Sequence, residues 1–435
     1  MMTTLPAQDR DVSLAMIKGD RVFRDGLFLA TLLLAWFTVS PFPDLSDPQL
    51  LAPKTGGDPL GQASILLLTG ALATFALLSR SPLIPRVVTL PLVLTFIAFA
   101  ISATLSAYPD VAARRLVLAA LTIFQAIIVL LLPHGREHFA RLLAVTAIIV
   151  LAACYIGVAF FPGLSIHQAS DIAEPDLAGD WRGFFTHKNG AGASMVLLIF
   201  IGIFVCRAWN RLAGVCIIVL AAIFLNFTHS KSPLNLLPVV LVLSYLLPRT
   251  RNSLLALALV TGMPLLLNLL GVGSVMFGPI GDLVHDLMSD PTYTGRDVIW
   301  RFALDHVAQR PLFGFGFESF WGMPDLVANW SYLESWGYRA SDAHNGYLNL
   351  AVTTGLIGLG LSLLWIVARP FADYRRAVAL GADRALTALF LQIWLFTLCL
   401  AGYESVFFAG GSALWFLMVV SIIGLRFQTI AKSRE

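Results

Sequence analysis

Apolar runs of roughly 15–25 residues alternate with short polar segments along most of the chain. A helix of about 20 apolar residues crosses about 30 Å of hydrocarbon, so most of these runs are long enough to span a bilayer. The pattern predicts about twelve membrane-spanning helices. They cover residues 27–42, 63–78, 87–105, 113–132, 142–161, 189–206, 212–227, 233–247, 254–277, 348–367, 386–400 and 406–425.

Composition narrows the protein class further. The 435 residues are 57% hydrophobic and 13% charged, whereas soluble domains are about 45–50% apolar and about 25% charged. This excess excludes a soluble enzyme, a nucleic-acid binder and a disordered scaffold. The expected fold class is an all-α integral membrane protein with a long polar loop that carries an amphipathic helix.

The distribution of charge predicts the orientation. With both termini in the cytoplasm, the inner segments hold 19 of the 29 Lys and Arg and 8 of the 26 Asp and Glu. Cytoplasmic loops carry such a basic excess. The resulting segments are an inner tail at 1–26, nine spans within 27–277, a large periplasmic loop at 278–347, three spans within 348–425 and an inner tail at 426–435.

Basic residues nevertheless occur on the acidic outer face, near span entrances and in the long loop. They include Arg114, Arg115, Arg182, Lys188, Lys231, Arg296 and Arg301. The predicted topology does not require them, so we interpret the set as ligands for an anionic substrate, with snorkelling to lipid headgroups or pairing with nearby acids as the alternative. The long loop is also aromatic, which suits either a headgroup-level surface or stacking on sugar rings. Its aromatic residues include Trp300, Phe313, Phe315, Phe320, Trp321, Trp330 and Trp336.

Two short segments predict anion sites at helix N-termini. Arg182 and Lys188 lead into the sixth predicted span, where free N–H groups and small residues favour an anion and make a lysine unfavourable for structure alone. His187 between them is either a ligand-facing donor or a helix cap. Lys231 lies in a Thr-His-Ser-Lys-Ser-Pro turn, which resembles an oxyanion site; a plain polar turn is the alternative.

Apolar residues after position 294 recur at helical spacing, which predicts an amphipathic helix at the membrane surface. Arg301 has Asp297 and Asp305 four residues away on either side, so a surface ion-pair ladder explains it. Arg296 has Trp300 at that spacing instead, which leaves Arg296 available to bind a ligand.

His344 and Asn345 lie where the long loop returns to the membrane. A histidine near several cations is expected to have a lowered pKa and to accept a proton near neutral pH. We therefore predict that His344 is a general base and that Asn345 orients its ring, with a structural histidine as the alternative.

Metal and nucleotide chemistry have little support in the sequence. Only His134 and His138 share an i, i+4 spacing, and Pro133 and Gly135 argue against a regular helix there. No Gly-rich nucleotide loop occurs. No metal and no cofactor are expected.

At these motifs the chain resembles the O-antigen ligases and Wzy-type polysaccharide polymerases. The resemblance covers residues 182–360. The matching positions are Arg182-Gly183, His187-Lys188-Asn189, Ser230-Lys231-Ser232, Thr294-Gly295-Arg296 with Trp300, Arg310-Pro311-Leu312, Gly314, Gly316, His344-Asn345, Gly355, Gly358 and Gly360.

The resemblance implies a GT-C-like membrane glycosyltransferase of the bacterial inner membrane. Its donor would be an undecaprenyl-diphosphate-linked oligosaccharide, used on the periplasmic side without a metal, and attack in line would invert the anomeric carbon. The acceptor would be a glycan or lipid A core. The motifs at residues 187–189 and 230–232 look more like the exopolysaccharide-polymerase branch than the ligase branch.

Under this resemblance His344, Arg296 and Arg182 would be catalytic. The substrate-binding residues would be Lys188, Lys231, His187, Asn345, Arg114, Arg115 and Trp300. Two alternatives of other classes remain: a flippase that moves the lipid-linked glycan unchanged, and a structural partner of other polysaccharide assembly and export proteins.

Overall fold

The computed structural model describes residues 7–37, 41–47, 59–79, 81–287, 292–322 and 340–432. For residues 7–19 and 431–432 it describes the backbone alone. Part of the predicted outer loop, with Trp330 and Trp336, lies outside the described residues.

The described part of the chain is built from α-helices, three short 3-10 or π segments and one isolated β-bridge between Ile166 and Trp181. In chain order the α-helices are α1 Ala7–Trp36, α2 Pro59–Ser79, α3 Ile84–Val87, α4 Leu90–Thr104, α5 Pro109–Val129, α6 Arg136–Phe160, α7 Pro162–Ser165, α8 Lys188–Ala208, α9 Arg211–Phe227, α10 Lys231–Leu246, α11 Ser253–Leu270, α12 Val272–Met276, α13 Gly278–Leu287, α14 Arg296–Gln309, α15 Gly346–Leu363, α16 Arg369–Ala379, α17 Arg384–Leu400 and α18 Ala413–Lys432.

The helices confirm an all-α integral membrane protein. Within the described residues, eight helical stretches are long and apolar enough to cross a membrane, and three further apolar helices have 10–17 residues. Each predicted run coincides with at least one helix, but the count of twelve spans stays a prediction.

Two predicted boundaries differ from the structure at the ends of the chain. Helix α1 already begins at Ala7, so no helix boundary separates the predicted tail 1–26 from the first span. The last helix begins at Ala413 rather than at residue 406, and it continues to Lys432. The loop before it contains the Gly-Gly pair at 410–411, and Gly411 has a φ of 72°, which a helix does not accommodate.

Helix α8 forms the centre of the bundle and is buried along most of its length. It packs closely against α9 because Gly202 and Gly214 face each other across the pair. A Cβ atom on Gly214 would lie 2.6 Å from the carbonyl oxygen of Gly202. Small residues allow helix backbones to approach in this way where lipid offers no hydrophobic drive for association.

Helix α15 is interrupted at Gly355, where φ is 70° and ψ is −178°. The break disrupts the helical hydrogen-bond ladder around it. Within the membrane each backbone N–H and C=O needs a partner, because lipid cannot supply one.

The segment between Pro311 and Gly316 supplies those partners. The N–H groups of Phe315 and Gly316 donate to carbonyl oxygens of residues 352 and 353 at 3.1 and 2.9 Å. The carbonyl oxygens of Pro311 and Leu312 accept from N–H groups of residues 356 and 357 at 2.7 and 3.3 Å. The loop after α14 is thereby fixed to the middle of α15.

We expect Gly355→Ala to destabilise the protein. A Cβ atom there would lie 2.2 Å from the carbonyl oxygen of Leu312, and the positive φ alone costs about 1–3 kcal/mol for a residue other than glycine. Thermal unfolding in detergent should show a clearly lower midpoint. Gly360→Ala is the matched control, since a Cβ atom on Gly360 would meet nothing within 4 Å. Equal midpoints for the two variants would contradict this account of the break.

Candidate active site

Residues at the N-terminal ends of α8, α10, α14 and α15 meet the loop between α17 and α18. The residues that connect them are Asn189, Ser230, Arg296, Asn345 and Glu404. Helix N-termini carry partial positive charge and free N–H groups. This end of the bundle therefore favours negatively charged groups.

Glu404 is the centre of this cluster. Its Oε1 accepts hydrogen bonds from Arg296 Nη2 at 3.2 Å and from Asn189 Nδ2 at 3.1 Å. Its Oε2 lies 3.6 Å from His344 Nδ1. The side chains of Arg296, Glu404 and His344 are 17%, 24% and 27% exposed, so a ligand can reach them. Burial raises the pKa of Glu404, but His344 and the charge of Arg296 outweigh burial and lower it, so the carboxylate is ionised.

The pKa of His344 shifts in the direction opposite to the sequence-based expectation. Burial favours the neutral ring, but interaction with Glu404 and the negative charge of Asp342 outweigh burial and the charge of Arg296, and they raise the pKa of His344. The prediction of a lowered pKa was wrong because these carboxylates lie closer to the ring than the sequence indicates. His344 has a φ of 46°, a left-handed conformation uncommon outside glycine.

A second set of paired charges adjoins the cluster. His187 caps α8 through a hydrogen bond from the N–H of Asn189 to Nδ1 at 3.0 Å, and its Nε2 lies 2.8 Å from Glu174 Oε2. Lys188 Nζ donates to Asp180 Oδ2 at 2.6 Å. The capping role for His187 is thus present, and the charge of Lys188 is neutralised by a carboxylate.

Lys231 differs from Lys188 in its surroundings. It is exposed in the first turn of α10, and it has no ion pair among the described residues. The preceding Ser230 donates from its hydroxyl to Asn189 Oδ1 at 3.0 Å. The turn at Lys231 is therefore joined to the Glu404 cluster through two polar side chains.

Arg182 lies apart from the open cluster and is fully buried. Its two terminal nitrogens donate to the carbonyl oxygens of Phe185 and Pro43 at 3.0 and 2.8 Å. This guanidinium is buried and holds loop segments together, which disfavours the predicted contact with a donor diphosphate.

Two other residues that were predicted to bind substrate are buried and hydrogen-bonded within the protein. Trp300 is fully buried and donates from Nε1 to the carbonyl oxygen of Ala343 at 3.1 Å. Asn345 is fully buried; it caps α15 through Leu348 N–H, and its Nδ2 donates to Asn268 Oδ1 and to the carbonyl oxygen of residue 402. The polar groups of both side chains are committed within the protein, which disfavours the predicted contacts with the substrate.

The remaining outer arginines are exposed. Arg114 is exposed and donates to the backbone of its own helix, and Arg115 donates to the backbone carbonyl of Glu318. Arg301 is exposed, and no ion pair joins it to either predicted aspartate within the part of the chain that the structure describes. The amphipathic helix itself is confirmed as α14.

Sequence reasoning did not single out Glu404 as a candidate site residue. A usable signal was present, since Glu404 is the only charged residue in positions 385–425. A lone ionisable residue in an apolar stretch indicates function unless it has a structural partner. Across the described residues, no group of three or more His, Cys, Asp or Glu side chains is arranged to hold a metal ion.

Residues 216–363 match the family described as O-Antigen ligase. The chain is also 25% identical over 222 residues to the exopolysaccharide production protein ExoQ of Rhizobium meliloti (strain 1021). That alignment covers 48% of this chain and 50% of the relative, so it spans about half the length of the relative. Both matches support the resemblance that the motifs carry, and residues 216–363 are similar to the O-antigen ligase family of membrane proteins.

Proposed function

We propose that the protein is a metal-independent membrane glycosyltransferase that joins repeat units of an exopolysaccharide. Its donor is a glycan on undecaprenyl diphosphate, and the site lies on the periplasmic face of the inner membrane, with both termini in the cytoplasm. The observation that carries the proposal is the partly open contact of Glu404 with Arg296 and His344, where helix N-termini meet.

Positive charge at this site suits a diphosphate leaving group. Charge develops on the diphosphate as the glycosidic bond breaks, and fixed cations or N–H dipoles stabilise it. Arg296 offers a planar donor set, and Lys231 offers an exposed point charge. Arg182 is fully buried, so we assign it to positioning the loops around the site. Lys188, whose charge is paired with a carboxylate as that of Arg296 is, assists in binding the diphosphate.

His344 and Glu404 suit general-base catalysis. The acceptor hydroxyl oxygen attacks the anomeric carbon, the bond to the diphosphate oxygen breaks with its electron pair, and His344 takes the hydroxyl proton. Glu404 stabilises the imidazolium that forms, as a carboxylate does for histidine in other catalytic pairs. Attack opposite the leaving group inverts the anomeric configuration.

Polymerase and ligase activities can be separated in a deletion strain. The name of the Rhizobium relative and the motifs near Lys188 and Lys231 favour polymerisation, whereas the family description is that of a ligase. We expect lipid-linked single repeat units to accumulate in the strain. Accumulation of long lipid-linked chains with unmodified lipid A core would instead indicate the ligase, and an undiminished supply of polymer would refute both.

Replacing Arg296 should reduce glycan transfer. A charge-assisted hydrogen bond contributes about 1.5–3 kcal/mol, so Arg296→Ala should lower kcat/KM about 10- to 100-fold. The assay is chain extension by purified protein on extracted lipid-linked glycan. Arg301→Ala, on the same helix and exposed, is the matched control and should stay within about twofold of wild type. A severe loss in the control with none in Arg296→Ala would refute the assignment.

The pH dependence tests the His344–Glu404 pair. Because His344 must be neutral to accept a proton, activity should rise as pH increases through its pKa, which lies above the ordinary value of 6.5. His344→Gln should lower turnover by about 10²–10⁴-fold. Glu404→Gln removes the charge that raises the pKa, so the rise should move to lower pH. A profile that does not move in Glu404→Gln would contradict the pairing.

A further inference from the structure

A second polar cluster lies against α15, one turn beyond its N-cap Asn345. At its centre is Glu318, in the loop that pairs with the broken part of that helix. Glu318 Oε1 accepts a hydrogen bond from Asn349 Nδ2 at 3.1 Å, and Asn349 Oδ1 accepts one from Trp321 Nε1 at 2.7 Å. Four residues along a helix rise about 6 Å, so the cluster adjoins the candidate active site.

The backbone of Glu318 is fixed from several directions. Arg115 of α5 donates to its carbonyl oxygen, and the hydroxyls of Ser319 and Ser106 are 2.7 Å apart. Glu318 has a φ of 54°. Such left-handed conformations cost about 1–3 kcal/mol and persist where the surroundings impose them, often at functional sites. The carboxyl group is therefore held in one direction.

The chemistry of Glu318 suits a hydroxyl-bearing ligand. The residue is half-buried, and its Oε2 has no hydrogen-bond partner among the residues that the structure describes. Burial raises the pKa of Glu318 to about 7, with Arg115 opposing and Asp342 adding to the shift. A carboxyl group that titrates near neutral pH both accepts from and donates to hydroxyl groups. Sugars are the class of ligand that presents such groups in adjacent pairs.

Asp342 relates this cluster to the proposed base. Its charge acts on the pKa of both Glu318 and His344, and its Oδ1 accepts the His344 N–H at 2.7 Å. Within the described part of the chain, no hydrogen bond or ion pair joins Glu318 to Arg296 or Lys231. The charge of Asp342 thus acts on the central carboxyl group of one cluster and on the histidine of the other, while the two clusters use different side chains.

We propose that Glu318 binds a hydroxyl group of the acceptor sugar and holds that sugar beside His344. This inference rests on the proposed glycosyl transfer, and it assigns acceptor recognition to Glu318 while donor binding belongs to Arg296 and Lys231. Asn349 and Arg115 are positioning residues, since they hold the carboxyl group and the loop.

The test compares acceptor and donor kinetics in the full-length purified protein. Labelled single-repeat lipid-linked glycan from the deletion strain is the varied acceptor, and long-chain lipid-linked glycan is the varied donor. Glu318→Gln keeps the shape but removes the ionisable carboxyl, so the KM for the acceptor should rise about 10- to 100-fold while the KM for the donor stays within about twofold. Asp305→Asn removes an exposed outer carboxylate and is the matched control, with both values unchanged.

Two results would overturn the inference. One is an unchanged acceptor KM in Glu318→Gln; the other is an equal rise in both KM values, which marks a structural role. Glu318→Asp, one methylene shorter, should give an acceptor KM between those of wild type and Glu318→Gln, and it provides the comparison if the Gln variant unfolds. Absence of any transfer by the wild-type protein would instead refute the proposed function itself.

Discussion

The polar end of the bundle depends on one carboxylate. Glu404 lies in a short loop between two apolar helices, where an ionised side chain without partners would be costly. Arg296, Asn189 and His344 satisfy it, and they come from parts of the sequence that are far apart. The same contacts that make the charge tolerable therefore fix the positions of α8, α14 and α15 relative to one another, and they place an arginine and a histidine on the two oxygens of one carboxylate.

The interruption of α15 has a related consequence. A continuous helix would satisfy its own backbone and leave the loop after α14 without an anchor. The break at Gly355 exposes backbone groups that the segment from Pro311 to Gly316 must pair. The chain thereby brings Glu318 against the same helix whose first turn follows His344. The need to pair backbone N–H and C=O groups inside the membrane therefore helps to bring the two polar clusters together, in addition to the contacts between their side chains.

Much of the fold follows from the period and length of the apolar runs, and α14 follows from its helical spacing. The ends of α1 and α18 could not be predicted in this way, because hydropathy does not mark a helix that continues beyond the apolar run. Among the site residues, Arg296 and His344 are brought together as their motifs indicate. Arg182 and Trp300 are not, since a sequence cannot show which basic or aromatic side chains find carbonyl partners inside the protein.

The partners of Glu404 and Glu318 could not be predicted from the sequence. Each is an isolated acid among apolar or aromatic neighbours, so each required a partner that local sequence did not name. The direction of the pKa shift of His344 could not be inferred for the same reason, because it depends on two carboxylates that approach the ring only in the folded chain.

The two polar clusters each contain a residue with a strained backbone. His344 and Glu318 both have left-handed backbone conformations, with φ of 46° and 54°. Each such residue costs about 1–3 kcal/mol, so neither conformation would persist without support from its surroundings. That support is visible: the N–H of His344 donates to Asp342, and the carbonyl oxygen of Glu318 accepts from Arg115. Charged side chains thus hold both residues in conformations that the backbone alone disfavours, and Asp342 acts on the pKa of each. Proton transfer from an acceptor hydroxyl to a base requires that both groups are held in a fixed orientation. In the proposed mechanism, this orientation outweighs the cost of the two strained backbone conformations.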